Sequence, residues 1–221
     1  MNTTSVHSAW IEKDLRPRFP HLADKAVEVY EIYEHAVSSG DLGSSDLLRL
    51  EEFCYEKSSM LRDCAASAVG SLSDTFSPAG DLLLKLVKTG RADVGVSAVA
   101  ALHDLKNVSL KERVVRFGLR HRSKNVRELA ACKAQRFRLY QVLGELEEVL
   151  VAEKNEKCRK NLYFSFALLR DGHLVENVES DSVRITVAGP RSVSGQTFSK
   201  ELVEEKGLQK LIDELKARAK F

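Results

Sequence analysis

Proline, methionine and tryptophan are scarce in this chain of 221 residues, with four, two and one copies. Because proline interrupts helices, whereas leucine, alanine, glutamate and lysine favour them, this composition predicts a mainly helical fold. Hydrophobic residues make up 43% of the chain, which is enough to build a sizeable core. The formal net charge is only +2, so the chain as a whole is neither a polycation nor an acidic mimic.

Signals for membranes and secretion are also missing. No stretch approaches the roughly 18 uncharged apolar residues of a membrane-spanning helix, and the first residues show no basic start followed by an apolar run. The four cysteines (Cys54, Cys64, Cys132 and Cys158) form no CxxC pair and no zinc-binding spacing. We therefore expect reduced and partly buried thiols, a cytoplasmic location and no membrane partner.

Motifs for common chemistries are absent as well. The chain contains no phosphate-binding loop, no dinucleotide fingerprint, no HExxH and no GxSxG. Its six histidines are scattered and suggest no metal site, and the glycine-containing loop at 189–195 fits a plain surface turn. We therefore expect no catalytic residues, no cofactor and no metal.

One twelve-residue pattern recurs three times. LRDCAASAVGSL begins at Leu61, VGVSAVAALHDL at Val94 and VRELAACKAQRF at Val126. Apolar residues coincide at positions 1, 5, 9 and 12 of the three copies, which is the spacing of one helical stripe. The alanines at position 5 would let a neighbouring helix approach closely.

A second apolar segment precedes each copy, within 47–56, 81–90 and 112–121. Each unit therefore predicts a helix, a tight turn and a second helix. Candidate N-cap residues stand before the second helices, and these are Ser58, Ser59, Asp93 and Asn125. Because one helix pair cannot bury its own stripe, three pairs would stack into a continuous core.

This pattern resembles HEAT-like repeats, especially the short kind with V-R-x-x-A-A-x-x-L-G-x-L in the second helix. The resemblance covers about residues 45–139 and implies a mainly helical α-solenoid of about three repeats. Two departures stand out, since Gly95 replaces the usual Arg of the second copy, and Lys133 replaces a small core-facing residue of the third. Such a lysine suggests either a helix face open to solvent or a stem that snorkels to an edge.

The flanks predict caps for this array. Residues 1–44 should form N-terminal capping helices, residues 45–158 the helical repeats, and residues 159–221 a small α+β module. In that module, 162–168 alternates like a strand, Asp171-Gly172 indicates a hairpin, and Val183, Ile185 and Val187 predict a third strand. Ser199 would cap a closing helix in which Gly207 is a weak point.

Charge is distributed unevenly along the chain. The segment 106–138 carries eleven basic and two acidic side chains, whereas residues 1–105 carry ten basic and sixteen acidic ones. Arg113, Arg116 and Arg120 share one helix face, while Arg62 and Arg127 occupy the position where HEAT-like repeats often use a structural arginine. The candidate binding residues are Arg113, Arg116, Arg120, Arg122, Lys124, Arg127, Lys133, Arg136 and Arg138. The alternative to a binding site is a solvated basic face.

The favoured hypothesis is a non-catalytic binding or adaptor protein whose curved surface recognises an acidic protein partner. A toxin-neutralising immunity protein is one setting for such a module. The alternative is nucleic-acid binding through the same arginines, which includes a likeness to DNA glycosylases built from HEAT-like repeats. That chemistry needs aromatic residues in the groove, and Phe117 and Phe137 of the basic segment are expected in the core. A free edge of the predicted hairpin at 162–175 offers a further pairing site.

Overall fold

The computed structural model describes residues 11–103, 105–189 and 192–219. It divides the chain into two compact units, Met1–Leu129 and Ala130–Phe221. The fold is mainly helical, with one small antiparallel sheet in the second unit. The mainly helical fold with a small sheet near the end of the chain is thereby confirmed. Within the described ranges, no helix combines the length and the apolar character needed to cross a bilayer.

The first unit consists of helices joined by short turns. After a single π-helical turn at Ile11–Leu15, its helices are α1 (Pro20–Ser39), α2 (Ser44–Cys54), α3 (Ser59–Leu72), α4 (Ser77–Lys88), α5 (Ala92–Ala100), α6 (Val108–Leu119) and the start of α7 (Lys124–Arg136). The three predicted helix–turn–helix pairs are therefore α2–α3, α4–α5 and α6–α7. Trp10 lies outside the described residues.

Helix starts follow the capping rules only in part. Ser58 accepts a hydrogen bond from the Leu61 amide at the start of α3, as predicted, and Asn107 caps α6 in the same way. Ser59, Asp93 and Asn125 were wrong as N-caps, because all three lie inside their helices. Asp93 instead accepts hydrogen bonds from Arg91, the residue at the N-cap position of α5.

The recurring apolar stripe is the core of the first unit. In the first copy Leu61, Ala65, Val69 and Leu72 are all buried, and in the second copy Val94, Ala98, Leu102 and Leu105 are buried too. A small residue at position 10 of the first copy allows one close approach. A Cβ atom added to Gly70 of α3 would lie 2.8 Å from the Ala101 carbonyl oxygen, so only glycine fits this approach.

Two helices open the second unit after the end of α7. These are α8 (Leu143–Ala152) and α9 (Glu156–Arg170), with a short 3₁₀ turn at Tyr140–Val142 before them. The two are separate helices, because the Asn155 side chain caps α9 by accepting a hydrogen bond from the Cys158 amide.

The predicted strand at 162–168 was wrong, because this segment belongs to α9. Its apolar residues fit two periods at once. Leu162, Phe166 and Leu169 are buried together with Cys158, which gives the helical spacing, while Leu162, Phe164 and Phe166 also alternate. The second helices of the pairs begin at residues 59, 92, 124 and 156, so α9 continues their spacing.

The sheet follows α9 and has the order β1 (His173–Glu179), β2 (Ser182–Ala188) and β3 (Val193–Ser199), all antiparallel. The predicted Asp171-Gly172 hairpin was wrong, since Gly172 has a φ of 71° and ends α9 instead. The hairpin turn lies at 180–181. β2 contains the predicted strand around Ile185, whereas β3 includes residues 193–195 of the segment expected to be a loop.

Two closing helices cover one face of this sheet. Ser199 caps α10 (Lys200–Lys206) as predicted, and Gly207, with a φ of 83°, separates it from α11 (Leu208–Arg218). The buried side chains that join sheet and helix are Val183, Ile185, Val187, Leu211, Ile212 and Leu215. This cluster is the cover that a three-stranded sheet requires.

All four cysteines are free thiols. Cys54 and Cys158 are buried, Cys64 is half-buried and Cys132 is exposed. Burial raises the pKa of the Cys54 thiol to about 12, so it stays protonated at neutral pH.

Gly70 and Gly144 provide a matched test of helix packing. We expect Gly70→Ala to lower the free energy of unfolding by about 1–3 kcal/mol, because the new methyl group would overlap the Ala101 carbonyl. We expect Gly144→Ala, which meets no atom within 4 Å, to raise it by about 0.5–1 kcal/mol through helix propensity. Urea denaturation followed by circular dichroism measures both, and equal effects would contradict the close approach.

Candidate binding surface of the first unit

The turns between paired helices carry the first group of arginines. Arg62 of α3 is 7% exposed, and its Nη1 donates to the carbonyl oxygen of Glu56 at 2.8 Å and to that of Lys57 at 3.4 Å. Its Nη1 also lies 3.3 Å from a carboxylate oxygen of Asp93. The guanidinium thereby satisfies carbonyls of the turn that follows α2.

Arg127 repeats this arrangement in the third pair. Its Nη1 donates to the carbonyl oxygens of His121 and Arg122, both at 2.9 Å. In both pairs the acceptors lie six and five residues before the arginine. The hydrogen bonds support the structural interpretation of the arginine position at Arg62 and Arg127.

In the middle pair, Gly95 occupies the position of this arginine, so the carbonyls of the turn need a donor from elsewhere. Arg122, from the next turn, donates from Nε to the Gly90 carbonyl oxygen at 2.7 Å. Arg91 likewise reaches back and donates from Nη1 to the Tyr55 carbonyl oxygen at 3.2 Å. We call these contacts the turn-to-turn links, since each joins an arginine of one turn to a carbonyl of the preceding turn.

Gly95 also makes room for the neighbouring pair. A Cβ atom at this position would lie 3.1 Å from Cγ2 of Val126 and 3.5 Å from Nε2 of His121. The absence of a side chain therefore lets both residues pack against α5. Arg122 thus replaces the hydrogen bond that an arginine at position 95 would make, and Gly95 lets Val126 and His121 pack closely against α5.

His121 is the most deeply buried titratable group of this region. It is 6% exposed, and its Nδ1 accepts a hydrogen bond from the Ser123 amide at 2.9 Å. Among the residues that the structure describes, its Nε2 has no hydrogen-bond partner. Burial, followed by the positive charges of Arg122 and Arg127, lowers the pKa of His121.

Helix α6 presents the second group of cationic residues. Arg113 and Arg120 are exposed, and no described carboxylate lies within ion-pair distance of either. Arg116 lies half-buried between them and has contacts of its own. The i, i+3, i+7 spacing therefore places the three arginines along one face, as the sequence indicates.

An aromatic ring lies within this face. Phe117 is 36% exposed, so its expected core position was wrong. The ammonium of Lys88, from the last turn of α4, lies 4.0 Å from the centre of its ring, which is a cation–π contact. We call Lys88, Arg113, Arg116, Phe117 and Arg120 the α6 surface. Sequence analysis missed Lys88 because it belongs to another repeat.

Acidic side chains lie beside the α6 surface at the start of α6. Arg113 borders a cleft of about 300 Å³ whose lining includes Asp74 and Asp81. The Asp74 carboxylate accepts the backbone amides of Lys106 and Asn107, with distances from 2.8 to 3.0 Å. The most uniformly basic part of the α6 surface is therefore its C-terminal half, around Arg120.

The remaining candidates are distributed between the units. Lys124 belongs to the first unit, is exposed and has contacts of its own. Lys133 of the second unit is only 8% exposed, and its ammonium lies 5.7 Å from the Phe137 ring centre. A solvent-open face at this lysine is therefore not observed. Arg136 and Arg138 are exposed.

Comparison of the chain with protein families, with curated proteins and with solved structures finds no match. The described residues contain no group of three or more histidine, cysteine or acidic side chains that would hold a metal ion. The function is therefore inferred from the geometry of this surface.

Alanine substitutions should separate structural from surface arginines. We expect Arg127→Ala to lower the free energy of unfolding by about 1–2 kcal/mol, because two carbonyl acceptors lose a charged donor. Arg120→Ala should change it by less than about 0.5 kcal/mol, because this side chain is solvated. Chemical denaturation measures both, and an equal loss in the two variants would contradict the distinction.

His121 should make the stability of the first unit depend on pH. Because its pKa is lowered in the folded state, the unfolded chain binds the proton more readily. The stabilisation is therefore complete above about pH 6.5 and is lost as the pH falls toward the folded-state pKa. Urea denaturation at pH 7.5 and pH 5.5 should show a smaller pH effect in His121→Asn than in the parent chain. An identical pH effect would contradict this role.

Proposed function

We propose that this chain is a non-catalytic binding protein, and that its α6 surface recognises an acidic face of a partner protein. The observation that carries the proposal is Phe117, an exposed aromatic ring set among Arg113, Arg120 and Lys88. Aromatic residues and arginine are the types most enriched at protein interfaces and their energetic hot spots. Arg113 and Arg120 are exposed and have no described carboxylate within ion-pair distance, so they supply the electrostatic complementarity for an acidic partner.

The turn arginines favour a protein partner over nucleic acid. Binding to a phosphate backbone draws its affinity from many cation–phosphate contacts. Arg122 and Arg127 already donate hydrogen bonds to backbone carbonyls. Fewer basic side chains are therefore available to contact phosphates than the sequence suggests. The remaining α6 surface suits a compact acidic patch better than a long polyanion.

In this proposal the helix pairs form a HEAT-like solenoid. Its support is the spacing of the second helices and the burial of the same stripe in successive copies. A rigid array of this kind loses little backbone entropy on binding, which lowers the cost of association. Such a protein would serve as an adaptor or as an immunity protein that neutralises a toxin with an acidic surface.

Charge reversal tests the α6 surface. The probes are a labelled 20-residue peptide of glutamates with leucine at every fifth position and a labelled 20-base-pair DNA duplex, both titrated by fluorescence anisotropy. We expect the full chain to bind the peptide more tightly than the duplex. Arg113→Glu/Arg120→Glu should weaken peptide binding at least about 10-fold, and Phe117→Ala should also weaken it.

The matched control is Lys154→Glu/Lys157→Glu, which changes the net charge equally at exposed positions of the second unit. It should leave the peptide affinity unchanged. Tight duplex binding that falls steeply with salt and is lost in the arginine variant would instead assign nucleic-acid binding. Binding of neither probe would leave the α6 surface as a solvated basic face and overturn the proposal.

A further inference from the structure

The hydrogen bonds at the ends of the sheet determine which backbone groups of β3 face outward. The Lys200 amide donates to the Asp181 carbonyl, and the Gly189 amide donates to the Ser192 carbonyl. In an antiparallel ladder these bonds flank the pairs Ser182–Ser199 and Ala188–Val193, which are therefore not hydrogen-bonded pairs. The residues of β3 that bond to β2 are consequently Ser194, Gln196 and Phe198.

The residues between them direct their backbone amide and carbonyl groups away from β2. The amide and carbonyl groups of Gly195 and Thr197 lie on the free edge of β3. Within the described part of the chain, neither residue has a hydrogen-bond partner there. Two donors and two acceptors are thus aligned for one more strand.

This edge lacks the usual protection. β3 (Val193–Ser199) contains no charged residue and no proline, the features by which natural edge strands avoid pairing. The opposite edge, β1, is different. It carries Glu176 and Glu179, its register shifts near its end, and α9 packs against it. The β1 edge of the sheet is therefore protected against further strand pairing, whereas the β3 edge is open.

A groove runs beside the open edge. Four consecutive residues of β3, from Gln196 to Ser199, line a cavity of about 300 Å³ together with residues of α10 and α11. Because successive strand residues face opposite sides, a cavity lined by all four lies along the edge rather than on one face. The helices line it with three leucines and with three charged residues, which are Lys206, Glu214 and Arg218.

The other side of the edge carries one basic residue, Arg184, whose cross-strand partner on β1 is Glu176. Arg184 of β2 is directly opposite Thr197, and its Nε would lie 3.2 Å from a Cβ atom added to Gly195. Gly195 therefore lets the exposed guanidinium reach toward the edge. Arg184 makes no ion pair with any carboxylate in the described ranges. A strand added here would meet the cavity, with Phe198 and Leu202, on one face and Arg184 on the other.

We propose that the free edge of β3 binds an extended peptide segment of a partner protein as a fourth strand. The segment alternates apolar residues, which pack beside the half-buried Phe198 and Leu202, with acidic residues, which face Arg184. This is β-augmentation, in which backbone hydrogen bonds supply affinity and alternate side chains supply specificity.

The charges favour this occupant over a second copy of the chain. Pairing of β3 with itself would bring the same patch of both copies together, and in that patch the basic residues Arg184, Lys206 and Arg218 outnumber the acidic Glu214. Like charges would then meet at the new edge. An acidic segment neutralises them instead. The site belongs to the second unit and does not depend on the α6 surface.

The probe for this site is the blocked heptapeptide EVELEVE, titrated into the full chain by isothermal calorimetry and by NMR. We expect binding together with at least a 10-fold slowing of hydrogen exchange at the Gly195 and Thr197 amides. The lysine counterpart KVKLKVK should not bind. The same heptapeptide, N-methylated at alternate amides on its pairing edge, keeps its charge but loses donors, and its affinity should fall at least 10-fold.

Two variants complete the test. Thr197→Pro removes an outward amide without touching the ladder to β2, and Arg184→Glu reverses the facing charge, so each should weaken binding at least 10-fold. Arg113→Glu/Arg120→Glu should bind the heptapeptide unchanged, which separates this site from the α6 surface. Equal affinity for the N-methylated peptide, no binding at millimolar concentration, or dimers of the free chain that Thr197→Pro abolishes would each overturn the proposal.

Discussion

The first unit depends on how the backbone carbonyls between paired helices are satisfied. A helix ends with carbonyl groups that have no partner in the helix, and a tight turn holds them close to the next pair. Arg62 and Arg127 satisfy the carbonyls of their own turns, whereas Arg91 and Arg122 form the turn-to-turn links. These contacts let short turns stand beside a core of alanine, valine and leucine.

This constraint changes the meaning of the basic segment. Eleven basic residues between 106 and 138 suggest one extended patch, yet they perform different tasks. Arg122 and Arg127 stabilise turns, Lys133 is buried, and only part of the cluster forms the α6 surface. The basic segment therefore includes both residues that stabilise the fold and residues of a candidate interface. The α6 surface is the better candidate for binding than the turn arginines, because it includes an exposed aromatic ring.

In the second unit the apolar face of the sheet must be covered, and the backbone groups at its two edges must be paired or protected. Its apolar face is covered by α11, and β1 is shielded by charge, irregular register and α9. β3 has none of these protections, although its backbone groups are aligned and a groove lined in part by leucines lies beside it. The two units thus present separate surfaces, one basic and aromatic, the other an open strand edge.

The sequence by itself determined the features that local spacing controls. These include the helix pairs, the buried stripe beginning at Leu61, the caps Ser58 and Ser199, and the common face of Arg113 and Arg120. Spacing could not decide 162–168, because its residues satisfy the periods of a strand and of a helix equally. Only tertiary structure decided that α9 is a helix, that Arg122 reaches Gly90, and that β3 is an open edge. Each of these depends on contacts between residues distant in the chain, and such contacts leave no local pattern.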